Sequence, residues 1–392
     1  MILRREFRAA LAVLLATCLA CPPARALVTF NDSHDRIFVN GSFGVSGDSN
    51  IFANSDNEGD LVYSSGFSLE YVRRAGWIGV NAGMSAGASW FGKNKSQNFS
   101  NPSYNLELTK QSGRTTGAFT VSGARESRAD AAVNLRSTSW NYNTGLNVKY
   151  PAGNYTFSGN LGYSSRKYVD ETFFANLATY NAALDVFRIL PSERELIGGY
   201  RYRYSETSRN SSSTDHSLNV GVSGKLIRGV IGSLRGGLQA RIPRGGLPGE
   251  GKYSSWTASG SSHYAVSKKI NLSGSISKDY STTATSSSVD VISASVSTAY
   301  AFNSRWALSG SAGWGDTRFL GEGGRIVLAA GPPPVLGPFR HDNYANWNVA
   351  LSYSLNEHFK SGISYGWFQN WSTLSFADFV RTSWALNLSS RW

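Results

Sequence analysis

The sequence predicts an all-β protein, a transmembrane antiparallel up-and-down β-barrel. Three observations predict this fold. Apolar and polar residues alternate along many segments, tight turns and longer irregular loops take turns in joining these segments, and aromatic residues gather near the segment ends. A period of two puts one set of side chains on each face of a β-strand. Strands of this kind suit a barrel with lipid outside and a wet interior.

The chain closes on the clearest alternating segment. From Trp384 to Trp392 every second residue is apolar or small, and the residues between them, including Asn387 and Arg391, are polar or small. The apolar face of this strand therefore carries an indole ring at each end. A closing strand with a final aromatic residue resembles the C-terminal signature of Gram-negative outer-membrane barrels. The resemblance implies the barrel assembly machinery as a partner and the outer membrane as the destination.

The N-terminal segment 1–26 has the pattern of a secretory signal peptide. Three arginines precede an apolar run at 9–20, and an A-x-A site predicts cleavage after Ala26. The run is too short to span a bilayer. The residues before Cys18 match a lipoprotein box only weakly. Both cysteines, Cys18 and Cys21, leave with the peptide, which removes disulfides and thiolate sites from residues 27–392.

The composition of residues 27–392 indicates one β-barrel domain. Gly, Ser, Asn and Tyr are spread throughout, and hardly any segment has an apolar stripe at helical spacing. The net charge is +12 for the whole sequence and +9 for residues 27–392, which would suggest nucleic acid as the partner of a soluble protein, but export argues against it. A secreted β-sandwich or β-solenoid also has alternating strands. Neither explains aromatic residues at strand ends or two classes of connection.

Alternation marks eighteen candidate strands, with sixteen as the alternative because segments 102–125 and 178–189 alternate weakly. Each is about long enough to cross a bilayer at a tilt, which takes about 9–11 residues. Every second connection is tight, and the others, such as 126–136 and 317–342, are longer. Short periplasmic turns and longer extracellular loops are the expected asymmetry. The candidate strands are 35–45, 61–72, 76–88, 102–110, 116–125, 138–150, 154–165, 178–189, 194–205, 215–226, 229–241, 252–266, 268–279, 289–302, 304–316, 343–355, 357–370 and 378–392.

The phase of the alternation assigns each residue to an outward or an inward face. Between residues 140 and 150 the even-numbered residues, from Trp140 to Tyr150, form the outward set, and the odd-numbered ones form the inward set. A slip of one residue would exchange the two faces. Aromatic residues at strand ends suit the two interfacial belts of a membrane barrel. The predicted belt residues are Tyr71, Trp77, Trp140, Tyr150, Trp306, Trp314, Trp347, Trp384 and Trp392.

The inward set is mostly Gly, Ser, Asn and Ala, with charges among them. An eighteen-strand barrel is too wide for small side chains to fill, so the lumen holds water, an inward loop or a partner. Basic residues outnumber the acidic Glu70, Glu107 and Asp279, which favours anions. Alternatively, arginine–carboxylate pairs brace the wall. The predicted lumen-facing basic residues are Lys149, Arg201, Arg203, Lys225, Arg235, Arg241, Arg305, Lys360 and Arg391.

Other motifs support weaker hypotheses. The proline-rich loop 317–342 could form a constriction or a cap, although a plain exposed loop is the simpler expectation. Carboxylates between Asp48 and Asp60 could hold a divalent cation, but their spacing matches no calcium loop. Two G-x-S-x-G matches, 83–87 and 362–366, lie inside strands, whereas a nucleophile elbow needs a strand-to-helix turn. The sequence therefore predicts no enzyme activity, catalytic residue, metal or cofactor.

Segments 200–204 (Tyr-Arg-Tyr-Arg-Tyr) and 342–359 show a repeated unit of aromatic-rich strands and tight turns. The unit resembles the outer-membrane β-barrel porin families of Gram-negative bacteria, some of which are associated with exopolysaccharide export. The resemblance implies contact with outer-membrane lipid and lipopolysaccharide. With a polar lumen, it favours passive passage of small, preferentially anionic solutes. The alternative is a scaffold or export barrel that works with a partner, either a polysaccharide-secretion assembly or a multihaem cytochrome that brings its own haem.

Overall fold

The eighteen long strands of the main sheet in the computed structural model pair in chain order, and the last of them pairs with the first. The structure describes residues 28–30, 34–74, 76–130, 134–169, 174–245, 251–285, 287–321, 324–329 and 335–392, so the predicted signal peptide 1–26 lies outside it. The main sheet is antiparallel and contains twenty strands, two of which have three residues or fewer. The other eighteen form a closed barrel. The predicted fold is confirmed, and the sixteen-strand alternative is wrong.

The strands are numbered in chain order. They are β1 Val28–Phe30, β2 Asp35–Asp48, β3 Asp60–Arg73, β4 Gly79–Phe91, β5 Phe99–Ser100, β6 Ser103–Lys110, β7 Thr116–Asp130, β8 Leu135–Ala152, β9 Tyr155–Tyr168, β10 Leu177–Ile189, β11 Arg194–Thr207, β12 Ser212–Ile227, β13 Val230–Arg244, β14 Tyr253–Ala265, β15 Ile270–Thr282, β16 Ser288–Ala301, β17 Trp306–Phe319, β18 Arg325–Ala329, β19 Val335–Phe339, β20 His341–Ser354, β21 Phe359–Ser372 and β22 Phe379–Arg391. The short strands β1 and β5 pair with β2 and β4, and β18 pairs with β19 in a separate hairpin.

Connections alternate between tight turns and longer loops, as the sequence predicts. Turns such as 153–154 and 228–229 lie at one end of the barrel, and loops such as 49–59 and 373–378 lie at the other. By the usual asymmetry of such barrels, the first is the periplasmic end and the second is the extracellular end. Within the described ranges, no helix is long and apolar enough to cross a membrane.

Several strands extend at the extracellular end beyond their apolar alternation. β7 continues to Asp130 and β8 begins at Leu135, so the long loop predicted at 126–136 is wrong. β9 likewise continues to Tyr168. Both faces of a strand meet water above the lipid, so the hydrogen-bonded ladder continues there without apolar residues.

The register keeps each strand's apolar set on the outer face of the wall. Asn147 lies opposite Ala118 and Asn160, and the Asn147 and Asn160 amides hydrogen-bond at 2.5 Å on the inner face. On the outer face Leu218 and Leu238 lie opposite each other and are 66% and 73% exposed. Each of the eighteen barrel strands carries at least one large apolar side chain that is more than a third exposed, which suits a lipid surrounding.

Buried apolar residues gather at the extracellular end. Apart from Ile197, the buried apolar residues of the described chain lie there on loops or near strand ends, among them Ile51, Phe91, Phe174 and Phe379. The middle of the barrel is lined by small and polar side chains instead. Over the described ranges, the wall is therefore held by its strand ladder and by side-chain pairs rather than by a central apolar core.

The wall is incompletely paired between β14 and β15. The register joins 258–265 to 271–278, which leaves the extracellular parts of both strands without a ladder to each other. Side chains satisfy some of the freed carbonyls. Thr257 Oγ1 donates to the Lys278 carbonyl at 2.9 Å, and Arg203 Nη2 donates to the Tyr280 carbonyl at 2.5 Å.

Lys278 lies at this gap and departs from the rule that outward residues are apolar. It lies opposite Ala258 and Ile292, on the outward phase, yet the residue is only 3% exposed. Its ammonium group contacts the Asp290 carboxylate at 2.6 Å and lies 4.9 Å from the centroid of the Trp256 ring. The gap thus accommodates a charge that the lipid face would not.

Candidate functional site

A charged cluster lines the lumen where β11, β12, β13 and β15 approach one another. Arg203 forms ion pairs with Asp215 at 2.6 Å and with Asp279 at 3.1 Å. Arg241 contacts the same Asp215 carboxylate at 2.7 Å and is fully buried. Arg201 contacts Asp279 at 3.1 Å. Two carboxylates therefore share three guanidinium groups.

Arg235 extends this cluster towards the periplasmic end. Its Nη1 donates to Asp185 Oδ1 at 2.8 Å, and its guanidinium lies 5.7 Å from the centroid of the Phe187 ring. Including this pair, four arginines face three aspartates on one side of the lumen. Arginine–carboxylate pairs, the alternative considered from the sequence, are thus present on this wall.

Two of the other predicted basic residues form ion pairs nearer the periplasmic end. Lys225 contacts Glu193 at 3.5 Å, and both side chains are more than half exposed. Arg391 contacts Glu70 at 3.0 Å, and its guanidinium lies 4.0 Å from the centroid of the Phe38 ring. These pairs offset most of the charge that the two residues add to the lumen.

Three predicted basic residues have no ion-pair partner within the described part of the chain. Lys149 faces the lumen opposite Thr116 and Ser158. Lys360 lines a cavity of about 580 Å³ formed by β2–β4, β21 and β22. Arg305 lies in the turn before β17, so it belongs to the periplasmic rim rather than to a strand face as predicted.

Sequence reasoning missed Asp185 and Asp215, which neutralise the arginine cluster. Both have the inward phase: Asp185 lies opposite Ser158, and Asp215 lies opposite Arg203 and Arg241. In the sequence, the inward position of both aspartates is indicated only by their alternation with outward apolar residues. This alternation is weak around Asp185, because apolar residues occur on both faces of β10. It is also weak around Asp215, because that residue lies near the extracellular start of β12, where the apolar alternation begins.

The first extracellular loop, 49–59, folds into the mouth of the barrel. Its residues Asn50 and Ile51 are fully buried. Asn134, just before β8, donates from Nδ2 to the Ala53 carbonyl at 2.7 Å, and Arg136 in β8 donates from Nη1 to the Ile51 carbonyl at 3.4 Å. Side chains from the wall therefore hold this loop where it narrows the extracellular opening.

The carboxylates of that loop do not converge on a cation. Asp48 pairs with Arg381 at 2.5 Å, and Asp60 accepts the backbone amides of Lys93 at 2.9 Å and Asn94 at 2.7 Å. Among the residues that the structure describes, no group of three or more His, Cys, Asp or Glu side chains is arranged to hold a metal ion. The divalent-cation hypothesis for Asp48, Asp56, Glu58 and Asp60 is therefore wrong.

Two further loops meet elsewhere at the mouth. The Tyr168 and Phe174 rings stack with centroids 4.8 Å apart and form a small buried cluster with Ala284. The Ala175 amide also donates to the Ala284 carbonyl at 2.7 Å. The loops between β9 and β10 and between β15 and β16 are thereby joined.

The proline-rich loop contains the β18–β19 hairpin, and its residues 330–334 lie outside the described ranges. Near its end Arg340 pairs with Asp342 at 2.7 Å, and its Nη2 donates to Asn134 Oδ1 at 3.4 Å. Asn134 thus links this loop to the inward loop 49–59. The constriction formed by the prolines themselves stays a prediction.

The predicted belt residues lie on the outer surface or at the barrel ends. Rings pair across strands, with centroids 4.5 Å apart for Trp306 and Tyr353 and 5.5 Å apart for Trp347 and Tyr365. Trp392 stacks on His358 at 4.4 Å. Three of the remaining belt residues contact a neighbouring side chain: Trp140 stacks on Tyr142, the Tyr150 ring lies under the Arg114 guanidinium, and the Tyr71 hydroxyl donates to Asp35. The other three are exposed, Trp77 in a turn and Trp314 and Trp384 on the outer face of the wall.

The two G-x-S-x-G serines lie on the inner face of the wall. Ser85 Oγ hydrogen-bonds Ser103 Oγ at 2.7 Å, and Ser364 lies opposite Ala350 and Ala385. Both sit within regular strands, which lack the sharp turn that exposes a nucleophile.

The comparisons with known proteins add the following. No family model matches the chain, and a search of curated proteins found no match. Among solved structures, OccAB3 of Acinetobacter baumannii is 10% identical, with 91% of this chain and 99% of that chain covered and a TM-score of 0.44. OpdK of Pseudomonas aeruginosa, solved with vanillate, is 11% identical, with coverages of 91% and 99% and a TM-score of 0.46. The siderophore receptor PirA of Pseudomonas aeruginosa is 9% identical, with coverages of 90% and 80% and a TM-score of 0.45.

Proposed function

We propose that the chain is a pore of the Gram-negative outer membrane through which small hydrophilic solutes pass without an energy source. The closed eighteen-strand wall with small, polar inward residues carries this proposal. Eighteen strands enclose more space than such side chains fill. Cavities of about 580 Å³ and 860 Å³ lie along the inner wall and at the periplasmic end.

The outer surface supports the location. Apolar side chains cover it, and paired aromatic rings such as Trp306 with Tyr353 lie where the wall meets the interfaces. The predicted signal peptide suits export, and the alternating apolar face of β22 suits insertion into a membrane. The partners in this proposal are outer-membrane lipid, lipopolysaccharide and the barrel assembly machinery.

A preference for anions is the finer part of the proposal. The arginine pairs offset most of the positive charge that the sequence suggested, so in this proposal Lys149 and Lys360 carry the preference, opposed by Glu107 and Glu195, two inward carboxylates without an ion pair in the described chain. The two lysine charges face the lumen and have no carboxylate within ion-pair distance in the described chain. Fixed positive charges on a pore wall lower the energy of an anion and raise that of a cation.

Planar-bilayer recording of the purified protein tests both parts. We expect discrete conductance steps. Under a potassium chloride gradient, we expect a reversal potential that lies towards the equilibrium potential of chloride, which indicates anion preference. Lys149→Glu combined with Lys360→Glu should move that potential towards cation preference, whereas the outward-facing control Thr144→Ser should not. Bilayers that stay sealed after verified insertion would contradict the pore. An unchanged reversal potential in the double variant would contradict the assigned charges.

The filled extracellular mouth favours a second candidate, a scaffold or export barrel that opens only with a partner. Loop 49–59 and the Tyr168–Phe174–Ala284 cluster both narrow that end. Such a barrel would serve a polysaccharide-secretion assembly or sheathe a multihaem cytochrome. It predicts sealed bilayers from the pure protein and conductance or export only when the partner is present.

A further inference from the structure

The seam between β14 and β15 interrupts the wall on its extracellular side. Backbone pairing joins 258–265 to 271–278 and stops there, although β14 stays paired with β13 up to Tyr253 and β15 stays paired with β16 up to Thr282. The joined part has eight residues in each strand, fewer than the about 9–11 residues that a bilayer crossing takes. The two strands therefore part before the wall has crossed the lipid.

Beyond this point the wall overlaps itself. Ser255 and Arg241 have the inward phase of their strands, β14 and β13. Both contact β15 residues of the outward phase: Lys278 Nζ donates to Ser255 Oγ at 2.7 Å. The Arg241 guanidinium likewise lies 5.4 Å from the centroid of the Tyr280 ring. The inner face of β13 and β14 therefore covers the outer face of β15, where Lys278 and Tyr280 are each 3% exposed.

The extracellular ends of β15 and β16 are held from the lumen side. Arg203 of β11 contacts Asp279 at 3.1 Å. Past the end of β15, the Ala284 carbonyl accepts the Ala175 amide of the loop between β9 and β10 at 2.7 Å. This hairpin thus contacts strands and a loop that are not its neighbours in the sheet. An inward position of the hairpin explains why its outer face, rather than its edge, meets β14.

Side chains replace the strand ladder at the seam. In lipid an open sheet edge is costly, because unpaired backbone groups find no water there. Thr257 Oγ1 donates to the Lys278 carbonyl at 2.9 Å, and Arg241 Nη1 donates to the Ser281 carbonyl. Such contacts can separate while the neighbouring ladders stay intact, which suits local opening. An open seam would join the lumen to the outer leaflet.

The two sides of the seam differ in polarity. On the lipid side, Trp256 and Ile276 are exposed. Between the overlapping strands, Lys278 contacts Asp290 at 2.6 Å, so the charge there is balanced. A molecule in the open seam would meet apolar side chains outside and a neutral set of hydrogen-bonding groups inside. A hydrocarbon chain joined to a polar head group without net charge matches this arrangement.

We propose that the seam between β14 and β15 is a lateral opening through which single-chain amphiphiles pass between the lumen and the outer leaflet. The extracellular ends of β15 and β16 form the flap that closes it, and contacts with Ser255 and Arg241 hold this flap against β14 and β13. The lateral route adds a second exit and a further class of solute to the proposed pore. It rests on the proposed function only in requiring a lumen that solutes can enter.

Photo-cross-linking of the protein in lipid vesicles tests this route. In one variant p-benzoylphenylalanine takes the place of Ser277, which faces the lumen beside the seam. In the control it takes the place of Asn143, which faces the lumen from β8, where the ladders to both neighbours are complete. The vesicles contain lysophosphatidylcholine, a single-chain amphiphile without net charge, and its capture is measured as added protein mass. We expect at least fivefold more capture at position 277 than at position 143.

A reversible lock identifies the seam as the route. Residues 27–392 contain no cysteine, so Ser255→Cys with Asp290→Cys gives one thiol pair across the seam. The parent side-chain oxygens at these two positions lie 3.5 Å apart. Joining the thiols with a short linker that a reductant cleaves should lower capture at position 277 at least fivefold, and reduction should restore it.

Lys278→Met removes the contact with Ser255 and should raise capture at position 277 about twofold. The control Lys269→Met, in the periplasmic turn before β15, should leave capture unchanged. Equal capture at positions 277 and 143 would overturn the inference, and so would capture that persists when the thiols are joined, because the amphiphile would then enter through the mouth. If the thiol pair does not fold, positions 277 and 143 still decide. Capture without conductance would overturn the pore alone, and conductance without capture would overturn the lateral route alone.

Discussion

Arg241 offers the sharpest test of how the barrel wall is held together. Its side chain is fully buried, and its Nε and Nη2 donate to the two oxygens of Asp215 at 2.7 and 2.9 Å. Its Nη1 donates to the Ser281 carbonyl. Because β14 and β15 pair only over 258–265 and 271–278, that carbonyl has no backbone partner in β14. The guanidinium also lies 5.4 Å from the centroid of the Tyr280 ring. One side chain thus joins β12, β13 and β15.

Replacing Arg241 with methionine preserves length and removes every one of these polar contacts. Breaking a buried ion pair costs about 3–5 kcal/mol, because the remaining charge stays buried. Asp215 retains Arg203 as a partner at 2.6 Å, so the lower end of that range applies. We expect the free energy of unfolding to fall by about 3 kcal/mol, roughly a hundredfold in the equilibrium constant.

Urea unfolding in detergent or lipid vesicles, followed by tryptophan fluorescence, measures this change. The matched control is Lys225→Met, which removes a basic residue whose pair with Glu193 is longer, at 3.5 Å, and more than half exposed. Exposed pairs contribute about 1 kcal/mol or less. An Arg241→Met variant as stable as the control variant would refute the claim that this cluster braces the wall.

Three further predictions concern the mouth and the closing strand. Deletion of residues 51–57 should raise single-channel conductance, because that loop fills part of the extracellular opening; unchanged conductance in bilayers would contradict this role. Phe174→Ala should make the adjoining loop more sensitive to added protease while the barrel stays folded, because the Tyr168 ring loses its stacking partner. Trp392→Ala should lower the yield of folded barrel in membranes, measured by heat-modifiable migration in gels, because its ring packs on His358.

The sequence was sufficient to predict the strands of the barrel and the faces of their side chains, but not which charged side chains form ion pairs. Between residues 140 and 150 the predicted faces match the register, because each apolar side chain must meet lipid and the period of two leaves one choice. Where lipid ends, that constraint ends as well, and the continuation of β7 to Asp130 was missed. Where a strand extends into water, its end is set by backbone hydrogen bonding, and its side chains need not alternate between apolar and polar. The sequence pattern therefore does not show where such a strand ends.

Ion pairs across the lumen depend on distances that sequence alone does not fix. Arg203 and Asp279 are separated by 76 positions and by three intervening strands, yet Arg203 Nη1 contacts the Asp279 carboxylate at 3.1 Å. At the incomplete seam beside β15, Arg203 Nη2 also donates to the Tyr280 carbonyl. The single sequence signal of the seam is Lys278, a charge on the outward phase of a strand. A lysine facing lipid is costly, so its position indicates a local break in the wall.

The pairing also changes what the net charge of +9 on residues 27–392 means for the lumen. An arginine within 3 Å of a carboxylate acts on a passing ion as a dipole, whose field falls off faster with distance than that of a single charge. Physiological salt further screens charges separated by more than about 8 Å. Ion preference therefore depends on the balance between the unpaired lysines Lys149 and Lys360, the one positive charge in excess near Arg201, and the inward carboxylates Glu107 and Glu195, which have no ion-pair partner in the described chain. Removing a paired residue such as Arg235 leaves the bare negative charge of Asp185 in place of a neutral pair, so the local field should change by that of one unit charge and shift towards cation preference.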